Sequence, residues 1–203
     1  DQNRYLKGVE FFPELFNYIM NKQVLNIRYE TFKKGILEFI VHPYYMKQYN
    51  NRWYLLGAAE DGYILNFALD RIDDIEQMSN IKYMEPDDGI EERFDDIVGV
   101  TLPQDAQVEK ILLWVSESQY PYIETKPLHG SQRIIRGARA EQLHKDYGFD
   151  DGHFVEISCI INTELKQLIA SFIDQVVILT PTSLRDEVMG RLESLIKKYI
   201  TRT

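Results

Sequence analysis

Apolar and polar residues alternate in short runs through residues 24–76, and this period of two predicts strands. VLNIRYETF alternates and ends at a KKG turn. ILEFIVHPYYMKQY follows as a long run that Pro43 should bend or divide, because proline cannot donate to a central ladder. Asn50-Asn51 marks the next turn, RWYLLGAA the next strand and Asp61-Gly62 a hairpin turn. YILNFAL and DRIDDIEQM complete a set of about five short strands, which suggests a small, strongly bent barrel. Ahead of them, FFPELFNYIMNK (residues 11–22) places Phe12, Leu15, Phe16 and Ile19 at helical spacing. Pro13 suits the first turn of this short amphipathic helix, which needs a partner surface.

The pattern changes after residue 76. Residues 77–107 are acidic and punctuated by Pro86, Gly89, Gly99 and Pro103, so they read as a connector with a helical stretch near Glu91–Ile97. Phe94, Ile97 and Val98 are apolar enough to dock, so the connector should not be a free tether. Beyond it, VEKILLWV, SQRIIRG, FVEISCIIN and QVVILT read as strands. ESQYPYIETKPL starts as a helix, and TELKQLIASFI is an amphipathic one. A last helix beginning near Pro181, with Thr180 as N-cap, carries the stripe Leu184, Val188, Leu192, Leu195, Ile196 and Tyr199. The order β-α-β-β-α-β-α suggests an open α+β sandwich with helices on one sheet face.

Composition narrows the function. The net charge is −9 but uneven, with 10 Lys/Arg against 11 Asp/Glu in residues 1–82 and 13 against 21 beyond. The acidic second half is a poor partner for a polyanion, so an anionic ligand belongs in the first half. The single Cys159 cannot form an internal disulfide and reads as a small buried residue, which fits a cytoplasmic protein. No apolar run is long enough to span a bilayer, and no signal segment is visible. Catalysis has little support. The four His, at 42, 129, 144 and 153, lack metal-ligand spacing, and no nucleophile elbow, C-x-x-C or glycine-rich phosphate loop occurs. The EPDD and FDDI carboxylates read as solvated faces. No catalytic residue, metal or cofactor is expected.

RWYLLGAAEDGYILNFALDRIDDIEQ resembles the WYL family, named for the tripeptide found here at Trp53, Tyr54 and Leu55. IRYE after a short helix, Pro43 and Tyr44 shortly before the tripeptide, and LDRI on a later strand agree in order. KPLHGSQRI and the run from FVEISCIIN to SLRDEV resemble the C-terminal extension that often follows WYL domains. The resemblance implies an Sm-like or SH3-like barrel at residues 11–78, a linker at 79–107 and a ferredoxin-like extension at 108–203. It also implies a transcriptional regulator of bacterial type whose barrel senses a nucleotide or nucleic-acid fragment. The extension would help form a dimer, and an upstream winged helix-turn-helix would bind DNA.

The residues themselves leave alternatives open. On the tripeptide strand Arg52, Tyr54 and Leu56 share one face, and Trp53, Leu55 and Gly57 the other. Tyr54 either stacks on a base or sugar, or packs the barrel; Trp53 reads as core. Arg71 either forks onto a phosphate or pairs with Asp70, Asp73 or Asp74. Lys47 could reach an anion, Asn66 a base edge or a turn, and Tyr44 a ligand ring. His42 is either a site residue or a satisfied structural histidine. The candidate ligand set is therefore His42, Tyr44, Lys47, Arg52, Tyr54, Asn66 and Arg71. Leu65 and Ala68 stand where family members often carry basic residues, which argues for a small or weakly anionic ligand. A homodimer is the default assembly, and a purely structural interaction module is the rival reading.

Overall fold

A computed structural model describes residues 8–200, which divide into two compact units. The first comprises residues up to Phe94 together with Gly99–Asp105; the second comprises Asp95–Val98 and the chain from Ala106. Both are mixed α+β, each built on one antiparallel sheet.

In the first unit, helix α1 (Phe12–Met20) precedes strands β1 (Leu25–Thr31), β2 (Gly35–Tyr49), β3 (Arg52–Ala59), β4 (Ile64–Ala68) and β5 (Ile72–Gln77). The sheet order is β4-β3-β2-β1-β5. The edge strands β4 and β5 do not pair with each other, so the expected closed barrel is instead an open five-stranded sheet. Pro43 does not divide β2. The ladder absorbs it as a bulge between Pro43 and Tyr45, since an irregularity there spares the missing N–H a partner. Across that bulge β3 comes very close: a Cβ on Gly57 would lie 2.5 Å from the His42 carbonyl oxygen, so only glycine fits. Asn50 and Asn51 both take left-handed backbone conformations at the β2–β3 turn, which asparagine tolerates.

One sheet face carries the core of Leu15, Leu25, Ile27, Tyr29, Val41, Leu55, Phe67, Leu69 and Ile72, with Trp53 packed against it. Trp53 meets Phe12 edge-on at 4.9 Å, so α1 closes this face. Helical spacing mistakes one residue here: Phe16 is exposed, and Phe11 and Tyr18 take its place against the core.

In the second unit, strands β6 (Val108–Val115), β7 (Arg133–Ile135), β8 (His153–Ile160) and β9 (Val176–Thr180) form a sheet of order β7-β8-β6-β9. Helix α3 (Tyr120–Thr125) follows β6, and α5 (Thr163–Ala170) follows β8. Asn162 caps α5 by accepting from the Leu165 amide at 2.9 Å, and its side-chain amide donates to the Val98 carbonyl at 2.7 Å. A helix absent from the expected order, α4 (Ala138–Tyr147), packs Ala140 and Leu143 beside Leu112, Trp114 and Phe154. Ile111, Leu113 and Val155, which point to the opposite face, are also fully buried, so the sheet is covered on both faces rather than one. The last helix, α6 (Thr182–Ile200), buries Leu184 only; Leu192, Leu195, Ile196 and Tyr199 of its expected stripe are exposed.

The acidic connector is not a uniform linker. It contains helix α2 (Ile90–Asp95), and Phe94 is fully buried. Ile97 forms a parallel bridge to Ile160, and the Asp96 carbonyl accepts from the Ile160 amide at 2.7 Å.

Candidate ligand-binding site

The outer face of β2, β3 and β4, opposite the core, follows from strand alternation. Lys47 lies across from Tyr54, Tyr54 from Ala68, and Leu56 from Asn66. This face is not an open groove. Leu56 and Ala58 are fully buried, because the connector lies over them. The Tyr45 ring stacks on Phe94 at 5.7 Å, and the Lys47 ammonium donates to the Phe94 carbonyl. Asn66 donates to the Val100 carbonyl and the Thr101 hydroxyl, both at 3.4 Å. The Tyr44 hydroxyl donates to the Met84 carbonyl at 3.1 Å, and the Met84 amide donates to His42 Nδ1 at 3.0 Å. Tyr83 donates back to the Pro43 carbonyl at 2.8 Å. Four of the seven candidates, His42, Tyr44, Lys47 and Asn66, thus hold the connector. Burial sets the charge state of this clamp. It lowers the His42 pKa and raises that of Tyr44, whose anion would also face Asp87 and Glu85.

The other three candidates gather at a separate corner. Arg52 pairs with Asp70 at 3.0 Å, and Arg28 takes Asp73 at 3.2 Å. Arg71 therefore makes no ion pair among the described residues. Its guanidinium lies 3.6 Å over the Phe32 ring and 4.8 Å from the Tyr29 centroid, and it donates to the Glu30 carbonyl. Tyr29 accepts from the Ala68 amide at 3.1 Å. Burial raises its pKa, while Arg71 counteracts and Asp70 and Tyr54 add to the rise, so these groups share one neighbourhood. Asp70 Oδ1 is out of solvent and accepts no hydrogen bond from any described residue. Phe32 is 86% exposed, and Lys33 and Lys34 follow it in the exposed β1–β2 turn. Sequence reasoning treated KKG only as a turn. An aromatic residue followed by two lysines at a hairpin tip was the available signal for Phe32, Lys33 and Lys34. Asp70 was legible only as a partner for Arg71.

A cavity of about 260 Å³ in the first unit shares no lining residue with the Arg71 corner. Tyr44 is the one sequence candidate among its lining residues, which otherwise come from the β3–β4 hairpin and the connector. In the second unit, burial pushes the Cys159 thiol up to about 12, which keeps it protonated. Among the described residues no group of three His, Cys, Asp or Glu side chains is arranged to hold a metal ion, and no helix is long and apolar enough to cross a membrane.

Family models match two stretches of the chain, the WYL domain at residues 10–77 and the WCX domain at residues 107–196. Among solved structures, proteasome accessory factor B/C (PafBC) of Arthrobacter aurescens is similar at 17% identity with a TM-score of 0.37. That alignment covers 95% of this chain and 27% of the other. A CRISPR Cas-related protein is similar at 12% identity with a TM-score of 0.50, covering 97% of this chain and 54% of the other. The chain thus spans about a quarter and about half of these two structures, and the second likeness speaks to fold alone. The comparison with curated proteins gives no match. The order of the two matched stretches and the Trp53-Tyr54-Leu55 strand that closes the first core agree: this chain belongs to the WYL-domain proteins, with a WCX domain following its WYL domain.

Proposed function

We propose that this chain is the ligand-sensing and self-association region of a WYL-type transcriptional regulator. Its ligand is a nucleotide or a short single-stranded nucleic-acid fragment, bound at the Arg52, Tyr54 and Arg71 corner, and the region controls a DNA-binding domain upstream. The carrying observation is the Arg71 guanidinium, which lies over the Phe32 and Tyr29 rings while Asp70 and Asp73 are engaged by Arg52 and Arg28. An arginine so pre-positioned suits a phosphate, and Lys33 and Lys34 add positive potential. The exposed Phe32 ring offers a stacking surface. His42, Tyr44, Lys47 and Asn66 then act indirectly, by fixing the connector. The role is non-catalytic, needs no cofactor and belongs to a cytoplasmic protein.

In the finer fold reading, the first unit is an opened Sm-like sheet and the second a ferredoxin-like extension. The sheet order β7-β8-β6-β9, with every neighbour antiparallel, supports the latter. A ligand can shift such a regulator only through unequal affinity for two arrangements of the assembly. The test is titration of mononucleotides and short oligonucleotides against wild type and Arg71→Ala. Loss of one charge-assisted contact of about 2 kcal/mol weakens binding roughly thirtyfold. Equal affinity of the two proteins removes Arg71 from the site, and no binding to either refutes the reading.

The rival reading, a dimerisation module without a small ligand, draws on α6. Met189, Leu192, Leu195, Ile196, Tyr199 and Ile200 are all exposed there, more apolar surface than a lone helix end ordinarily leaves in water. A second copy of this chain is the occupant the homodimer expectation supplies.

A further inference from the structure

The cavity of the first unit is distinct from the Arg71 corner, and its chemistry differs. Ala58 and Ile64 of the sheet and Met84 and Leu102 of the connector supply apolar lining. Glu85, Asp87, Arg93 and Asp105 supply charged lining, together with Tyr44 and Tyr63. Glu85 is answered by Lys22 at 2.8 Å. Asp87, Arg93 and Asp105 make no ion pair with each other or with any described residue, although all three line one small space. Opposite charges held around a cavity without closing on one another leave complementary charge for a guest.

We propose that this cavity binds a small zwitterion with one ammonium and one carboxylate group, of the size of an α-amino acid. The ammonium faces Asp87 and Asp105, and the ligand carboxylate takes the Arg93 fork. The Tyr44 hydroxyl, already donating to Met84, keeps a lone pair for an ammonium hydrogen, and the tyrosine rings favour a cation beside them. A phosphate would meet two carboxylates for one guanidinium. A dication would leave Arg93 unmatched, and a dicarboxylate would repel the acidic side. Size points the same way, since about 260 Å³ lies at the small end of ligand pockets and leaves no room for a nucleotide. Because sheet and connector each supply part of the wall, the bound zwitterion tightens the connector onto β2–β4.

Calorimetric titration of the full chain with L-leucine, L-lysine, putrescine and glutarate tests this. The amino acids bind, and the other two bind at least about tenfold more weakly or not at all. Arg93→Gln and Asp87→Asn each weaken amino-acid binding about tenfold or more, as loss of a charged hydrogen bond requires, while Arg71→Ala leaves it unchanged. Hydrogen exchange of the wild type with and without L-leucine guards against a variant that fails to fold: protection rises at residues 84–105. Absence of heat and of protection with every amino acid at millimolar concentration overturns the proposal. So does putrescine or glutarate binding as tightly as the amino acids, or an Arg93→Gln protein that folds and binds normally.

Discussion

Replacing Phe94 with alanine tests whether the connector is part of the first unit's fold or merely drapes over it. Phe94 has no solvent exposure, and its ring stacks on Tyr45 at 5.7 Å. Truncating a buried phenylalanine costs about 3–5 kcal/mol, the transfer of its ring plus the hole it leaves. Tyr45 is 37% exposed and can lean into that hole, so the lower end applies, about 3 kcal/mol. The Lys47 hydrogen bond survives because it uses the Phe94 backbone carbonyl. With a urea slope of about 1.5 kcal/mol per molar for a unit of this size, the midpoint falls by about 2 M. The two tryptophans make the assay specific. Trp53 packs on the first core, and Trp114 stacks on Phe149 in the second at 4.6 Å. Fluorescence in a Trp114→Phe background therefore follows the first unit, and in a Trp53→Phe background the second. The Trp53 transition moves by the full amount and the Trp114 transition by much less. A Trp53 shift worth under about 1 kcal/mol refutes the claim that the connector completes this fold.

Acidification loosens the same clamp through His42. Burial lowers its pKa below the ordinary 6.5, so the unfolded chain binds the proton first and stability falls as pH drops below that value. Protonation also removes the Nδ1 lone pair that accepts from Met84. Amide exchange at Met84, corrected for intrinsic rates, accelerates between neutral pH and pH about 5, and a pH-independent protection factor counts against the assignment. Asn162→Ala loses the α5 cap and strands the Val98 carbonyl. It destabilises the second unit by about 2 kcal/mol, read as a lower urea midpoint for Trp114; an unchanged midpoint excludes the role. Leu192→Glu with Ile196→Glu on α6 converts a self-associated species to monomer in sedimentation velocity while leaving both tryptophan midpoints in place. An assembly state unaffected by the charges sinks the α6 contact.

Period-two alternation made the strands of both sheets legible, because each strand buries at least one face. The tripeptide strand assigned Trp53 and Leu55 inward by the same logic. Barrel closure was not legible, since whether β4 meets β5 depends on strand curvature, which alternation does not encode. Helix α4 escaped because the polar run ARAEQLHKDY carries no apolar stripe; Ala140 and Leu143 are its hydrophobic contribution to packing. The candidate site divided for a related reason. Arg52 and Tyr54 share a strand face that alternation reveals, whereas the engagement of Lys47, Asn66, Tyr44 and His42 depends on a connector 34 to 47 residues further along the chain, beyond the reach of any local pattern. Phe94 was marked as a docking residue by its apolarity alone, without its target.

The division of residues 83–105 between two folding units has a practical edge for anyone dissecting the protein. A fragment trimmed at the end of β5, the natural stopping point on sequence grounds, strips the cover from Leu56 and Ala58 and invites aggregation. A fragment begun at β6 deprives the Ile160 amide of Asp96 and the Asn162 amide of Val98. Cleanly separable halves require the intervening stretch to be retained on both pieces, once as an outer layer and once as an extra edge.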